Sequence, residues 1–162
     1  PFFSPEAYRE HLLPYTRKVA AEITLPWIYH SDGNLEPLLD DLLTQGMSGI
    51  HPLEPGSMDL ERLKARYGNC VCLVGNVDLN TLSLGTPEDV ETDVKRCIAQ
   101  LAHGGRYLIS SSNAITAYCK PDNIRAMAEA VVTHGTGPNH AIPACSTSGS
   151  DRSSDRSTGA IS

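Results

Sequence analysis

Four short, nearly continuous apolar segments alternate along this chain with segments that have the periodicity of amphipathic helices. The apolar segments read LPWIYH, SGIHPLEP, CVCLVGNVD and RYLISSSN, at residues 25–30, 48–55, 70–78 and 106–113. Apolar runs without strict alternation are typical of parallel strands that are covered on both faces. The order of the segments therefore predicts an α/β fold, either an open doubly wound sheet or part of a (β/α)8 barrel.

The helical segments carry start and stop signals. They read SPEAYREHLLPYTRKVAAEI, NLEPLLDDLLTQG, MDLERLKARYG, TPEDVETDVKRCIAQLAHGG and KPDNIRAMAEAVV. Ser4 and Thr86 each precede a proline and predict helix N-caps. Pro14 lies inside the first pattern and predicts either a kink or two shorter helices. No GxGxxG follows a strand and no GxxxxGK[ST] occurs, which argues against Rossmann and P-loop nucleotide sites.

Composition and charge narrow the range of partners. Among 162 residues, 40% are hydrophobic and 20% charged, as in an ordinary soluble globular domain. The net charge of −6 argues against binding to nucleic acid or to an anionic membrane surface. No apolar run approaches the roughly 20 residues that a membrane helix needs. Five scattered cysteines are typical of reduced thiols in a cytoplasmic protein. We therefore expect a cytoplasmic protein that binds a small-molecule substrate.

Polar residues follow each of the four predicted strands. These strand ends read His30-Ser31-Asp32-Gly33-Asn34, His51-Pro52-Leu53-Glu54-Pro55, Gly75-Asn76-Val77-Asp78 and Ser110-Ser111-Ser112-Asn113. A turn explains one polar strand end, but the carboxyl ends of parallel barrel strands converge on one mouth, where active sites lie. Four such ends predict an active-site rim.

His30 and Asp32 are the strongest candidates at this rim. Residues two apart on a strand face the same way, and a carboxylate beside an imidazole either holds a metal or tunes a proton-transfer pKa. Several neighbours have simpler explanations. Asn34 and Asp59 fit helix caps, and His51 fits a residue that only lines the barrel.

Five ordered motifs resemble the C-terminal half of the uroporphyrinogen decarboxylase superfamily. They read SPEAYREHLLPYTRKV, HSDGN, GIHPLEPGSMDLERLKARYG, LVGNVDLNTLSLGTPEDVETDV and ISSSNAITAYCKPDNIRAMAEAV. The resemblance implies a (β/α)8 barrel of which this chain forms the fifth to eighth βα units. The superfamily includes the haem-pathway decarboxylases and the cobalamin-linked methyltransferases that carry zinc.

The methyltransferase branch implies a metal at the first strand end. Its His-x-Cys zinc motif matches His30, but Asp32 stands where the cysteine would be. Asn113 stands at the second cysteine position, so the thiolate-rich zinc site is altered here. His30, Asp32 and Glu54 form the candidate set for zinc or another divalent metal, held through harder ligands. The substrate would then be a methyl donor, with transfer to a thiol or from a corrinoid.

The decarboxylase branch implies a lyase of porphyrin biosynthesis that needs no cofactor and removes acetate carboxyls from a tetrapyrrole. On this reading His30, Asp32 and Asn113 are the catalytic candidates, and Asn113 takes the place of a cleft histidine. The substrate-binding candidates are Ser31, Asn76, Asp78 and Ser112. The carboxylate and the arginines that act on the tetrapyrrole come from the N-terminal half in this family.

Two domains are predicted: a partial barrel over residues 1–132 and a low-complexity flexible tail over residues 133–162. We expect the chain to be a fragment that is inactive by itself. A third hypothesis is a non-catalytic half-barrel that self-associates, as a homodimer, through its open strand edges.

Overall fold

Two helices precede the sheet in the computed structural model, which describes residues 3–135. Helix α1 spans Pro5–His11 and α2 spans Leu13–Glu22. The hydroxyl of Ser4 accepts a hydrogen bond from the backbone N–H of Ala7 at 3.2 Å, so Ser4 is the predicted N-cap. Pro14 lies in the first turn of α2, and the prediction of two shorter helices is confirmed. The predicted tail lies outside the described residues, apart from its first three.

Four short parallel strands form one sheet in the order β1-β2-β3-β4. The strands are β1 Ile28–His30, β2 Gly49–His51, β3 Cys72–Val74 and β4 Tyr107–Leu108. Each is shorter than the apolar segment that predicted it. The predicted α/β class with parallel strands is confirmed.

Helices connect these strands. A 3-10 helix, Glu36–Leu38, leads into α3, Leu39–Leu43, and α4 spans Leu60–Tyr67. The last three helices are α5 Leu79–Leu84, α6 Pro87–Leu101 and α7 Pro121–His134. Helix α5 was not predicted.

Two short polar side chains accept hydrogen bonds from backbone N–H groups in the connections that follow β1 and β2. The Asp59 carboxylate accepts from the N–H of Arg62 at 3.0 Å, and the Asn34 amide oxygen accepts from the N–H of Glu36 at 2.9 Å. The capping interpretation is therefore confirmed for Asp59, the N-cap of α4. It is wrong for Asn34, because the N-cap residue of the 3-10 helix is Leu35 and has no side-chain cap hydrogen bond.

One face of the sheet packs against the helices. Ile50 and Leu73 are fully buried there, with Tyr29 and Tyr107 at the margins of the same cluster. Alternate residues point to the opposite face, where Ile28 is 49% exposed and Leu108 is 53% exposed. Within residues 3–135, the outer edges of β1 and β4 pair with no further strand. In the described part of the chain, that second face is thus exposed at the two edge strands and both sheet edges are open, whereas Val74, the register partner of Leu108, is buried.

Free thiols are carried by Cys72, Cys97 and Cys119, so the prediction of reduced cysteines holds for these three. It does not hold for Cys70, which is disulfide-bonded. Among the described helices, none combines the length and the apolar character needed to cross a membrane.

Candidate active site at the carboxyl ends of the strands

Two histidines meet at the carboxyl ends of β1 and β2. His30 and His51 are partners in the parallel register of these strands. Their imidazoles face each other with 2.8 Å between the two Nδ1 atoms, and the ring centroids lie 4.8 Å apart. Adjacent parallel strands place register partners on the same face, so the pairing of the strands brings the rings together. Two neutral rings at this distance share one proton in a hydrogen bond.

The second ring nitrogen of His51 reaches across the sheet. Its Nε2 lies 3.3 Å from the carbonyl oxygen of Ser111. Ser111 is placed there by a parallel bridge to Val77, which continues the pairing of β3 with β4 beyond the regular strands. The imidazole of His51 therefore links the chain after β4 to the end of β1.

The three predicted catalytic residues, His30, Asp32 and Asn113, lie together at this mouth. The Asn113 amide donates to Asp32 Oδ1 at 2.9 Å, and the same oxygen lies 3.9 Å from His30 Nε2. The amide oxygen of Asn113 accepts from the N–H of Ala114 at 2.8 Å, which fixes the direction of its NH2 group. Asp32 is thus held beside His30 by a residue 81 positions away in sequence.

Glu54, the third residue of the predicted metal set, is turned toward the backbone. Its carboxylate accepts from the N–H of Gly33 at 2.7 Å, which holds the turn after β1. Gly33 has φ of 79°, a conformation that favours glycine. Across residues 3–135, no group of three His, Cys, Asp or Glu side chains is arranged to hold a metal ion. As placed, the set does not fit a metal, and metal binding by these residues stays a prediction.

The predicted substrate-binding residues differ in their position and in the hydrogen bonds they already make, beginning with Ser31. Ser31 follows His30 directly, and its backbone N–H donates to the carbonyl of His51 at 3.0 Å. Burial raises the pKa of the neighbouring Tyr29 phenol, and the Ser31 side chain lowers it in part. The backbone of Ser31 therefore adjoins the histidine pair, and a substrate role for its side chain stays a prediction.

The side chains of Asn76, Asp78 and Ser112 are engaged in the fold. Asn76 is fully buried and donates to the carbonyl of Leu53 at 2.6 Å. Asp78 caps α5 by accepting from the N–H of Asn80 at 2.8 Å. The hydroxyl of Ser112 accepts from the N–H of Leu79 at 3.3 Å. A substrate role for these three stays a prediction.

His51 is the site residue that sequence reasoning missed. It is the last residue of β2, as His30 is of β1. In the predicted segments 25–30 and 48–55, however, His30 is the sixth residue and His51 the fourth, so nothing in the sequence signals that the two rings meet.

Comparison with known proteins shows the family to which this chain belongs. The sequence model of the family described as uroporphyrinogen decarboxylase (URO-D) matches residues 2–134. A methylated-thiol–coenzyme M methyltransferase of Methanosarcina mazei is 29% identical over 128 residues, covering 78% of this chain and 33% of that protein. A uroporphyrinogen decarboxylase of Neisseria meningitidis is 26% identical over 136 residues, covering 79% and 37%. The chain spans about a third of the length of these curated relatives.

A solved structure, a methyltransferase from Methanosarcina mazei, has a similar fold. The TM-score is 0.71 at 23% identity, and the match covers 83% of this chain and 39% of that one. The likeness at this identity concerns the fold, and it agrees with the prediction that the four parallel βα units form about half of a larger barrel.

Proposed function

Because the chain belongs to the uroporphyrinogen decarboxylase family, we propose that it forms one side of the active site of a decarboxylase-like carboxy-lyase. The substrate class is a tetrapyrrole bearing acetate side chains. The observation that carries the proposal is the cluster of His30, Asp32 and Asn113 at the carboxyl ends of the strands. This cluster offers groups that hold and move protons, and it offers no thiolate at either position where the methyltransferase pattern has cysteine.

The reaction needs a proton at the place where carbon dioxide leaves. Each step converts a –CH2–COO⁻ group and one proton into a –CH3 group and CO2. The electron pair of the broken C–C bond stays on the methylene carbon and the adjoining pyrrole, and the incoming proton takes it up. An imidazole beside a carboxylate suits this task, because the carboxylate stabilises the protonated ring between transfers.

The three residues have separate roles in this proposal. His30 holds the proton at the mouth, and Asp32 stabilises the imidazolium. Asn113 donates to Asp32 and so keeps the carboxylate beside the ring. None of these groups is a guanidinium or an ammonium, so the acidic side chains of the substrate must be bound by other residues. We propose that polypeptide corresponding to the N-terminal half of the barrel supplies them, and that this chain is inactive without it.

A metal-dependent methyltransferase is the second candidate. It is favoured by the 29% identity to the Methanosarcina mazei enzyme and by the position of His30 in the His-x-Cys pattern. Asp32 and Asn113 in place of cysteines weaken this candidate, since a soft thiolate site is replaced by oxygen and amide groups.

The proposal is tested by supplying the chain with the N-terminal half of the Neisseria meningitidis decarboxylase as a separate polypeptide. We expect the mixture to release CO2 from uroporphyrinogen. We expect His30→Gln to lower kcat about 10²- to 10⁴-fold, the usual contribution of a positioned acid or base. The matched control is His103→Gln, which changes an exposed histidine outside the site.

Two results would contradict the proposal. One is a stable complex of the two halves that releases no CO2. The other is stoichiometric zinc retained by the chain after dialysis and lost in His30→Gln but not in His103→Gln, which would support the methyltransferase.

A further inference from the structure

A continuous line of polar contacts runs from the backbone after β4 to the exposed side of the mouth. It passes from the carbonyl of Ser111 to His51, from His51 to His30, and from His30 to Asp32. We propose that His51 is a positioning residue, which holds His30 as the tautomer protonated on Nδ1 and leaves the Nε2 lone pair of His30 facing Asp32.

The direction of the hydrogen bonds follows from the carbonyl of Ser111, the first group in this line. A carbonyl oxygen has no proton to give, so the contact between the Ser111 oxygen and His51 Nε2 requires an N–H on that nitrogen. A neutral imidazole carries one N–H, so Nδ1 of His51 is then the acceptor. The 2.8 Å contact between the two Nδ1 atoms therefore requires the proton on His30.

The tautomer of His30 determines whether its second ring nitrogen, Nε2, carries a proton. With its proton on Nδ1, neutral His30 has an unprotonated Nε2, 3.9 Å from Asp32 Oδ1. When His30 takes up a proton there, the positive charge lies beside the carboxylate and the bond to His51 is kept. The pair can thus gain and lose a proton at one atom without any other hydrogen bond reversing.

This inference rests on the proposed function in one respect: His30 is the group that acts on the substrate. The tautomer itself is a property of the chain, and it can be measured without substrate or activity. Failure of the decarboxylation assay would leave the tautomer result standing. If neutral His30 carried its proton on Nε2 instead, the proposed role of His51 would be excluded, but that of His30 would not.

The test is long-range ¹H–¹⁵N NMR of the chain labelled in histidine, at a pH where the imidazoles are neutral. We expect His30 to show a protonated Nδ1 and an unprotonated Nε2, with the reverse pattern for His51. In His51→Phe, the His30 nitrogen shifts should move to those of exposed His103 in the same spectrum. In His51→Asn, an amide oxygen can stand where Nδ1 was, and the wild-type pattern of His30 should be largely restored.

A proton on Nε2 of His30 in the wild-type chain would overturn the proposal. So would His30 shifts that are the same in the wild type and in a folded His51→Phe variant. If His51→Phe does not fold, the wild-type spectrum and the His51→Asn variant still decide between the two tautomers.

Discussion

At the scale of single residues, the buried polar side chains serve the backbone. Asn123 is the clearest case, since it is fully buried in the first turn of α7. Its NH2 group donates to the carbonyls of Thr81, Leu82 and Gly85, at 3.3, 3.1 and 3.0 Å. These carbonyls lie at the end of α5, where that of Leu82 also accepts from the N–H of Lys120 and that of Gly85 from Lys120 Nζ. Asn123 and Lys120 together therefore complete the end of α5.

Replacing Asn123 with alanine should destabilise the chain. The variant removes the three hydrogen bonds of the buried amide, although each carbonyl keeps a second donor from Gly85 or Lys120. We expect the free energy of unfolding to fall by about 1–3 kcal/mol. The matched control, Asn69→Ala at an exposed position, should change it by less than about 0.5 kcal/mol. Urea denaturation followed by circular dichroism measures both. Equal changes in the two variants would show that the hydrogen bonds of Asn123 contribute nothing to the free energy of unfolding.

At the scale of elements, α6 has a closed N-terminal cap. The hydroxyl of Thr86 accepts from the N–H of Asp89 at 3.2 Å, and the Asp89 carboxylate accepts from the N–H of Thr86 at 2.8 Å. These hydrogen bonds to the charged carboxylate hold the pKa of Asp89 below its ordinary value of 3.8. The start of the longest described helix therefore depends on an ionised side chain.

The stability contributed by this cap should depend on pH. Because the folded pKa is lowered, the contribution is fully present above the unfolded pKa of about 3.8 and is lost as the pH falls through the folded value. We expect Asp89→Asn to be less stable than the wild type at about pH 7, with the difference shrinking below about pH 4. Urea midpoints over this pH range measure it.

A matched control for that experiment is Asp122→Asn, an exposed carboxylate in the first turn of α7. Its difference from the wild type should change less with pH. A constant difference for Asp89→Asn from neutral to acid pH would contradict the role of the charged cap.

The elements were largely predictable from the sequence, because three of the predicted helices carry a capping side chain and each strand lies in its own apolar run. Ser4, Thr86 and Asp59 cap the helices in which the sequence places them. Helix α5 was missed because it follows a strand directly in a segment rich in Asn, Thr and Ser. Its ends are completed by Asp78 and Asn123, and the second of these is distant in sequence.

The candidate site was predictable only in part. His30, Asp32 and Asn113 were found because each follows a strand, and convergence of parallel strands is a general rule. His51 was missed because its role depends on strand register, which brings its ring within 2.8 Å of His30. Sequence position alone also could not show that the amide of Asn76 is turned into the core.

At the scale of the whole molecule, the two edge strands of the sheet expose apolar side chains on the face away from the helices within the described residues. Ile28 and Leu108 stand on the open face, at opposite edges of the sheet. Exposed apolar side chains beside unpaired strand edges favour association with another polypeptide. This is the physical basis for the hypothesis of a half-barrel that pairs with a second copy.

We expect the purified chain to self-associate in a concentration-dependent manner. Leu108→Lys should shift the equilibrium toward the monomer, because a charge on the open face and edge opposes strand pairing. Leu84→Lys is the matched control, since Leu84 is 78% exposed but lies on α5, away from the sheet. Sedimentation velocity at several concentrations measures both. A chain that remains monomeric throughout would contradict the hypothesis.

The parallel direction of all four strands has a consequence for the geometry of such an assembly. If pairing between copies continues the parallel sheet, β1 of one copy meets β4 of the next. Such a contact is heterologous, and each copy keeps one edge free unless the arrangement closes on itself. The curvature of the sheet would then decide between a closed assembly, which for two copies is the predicted homodimer, and an open filament.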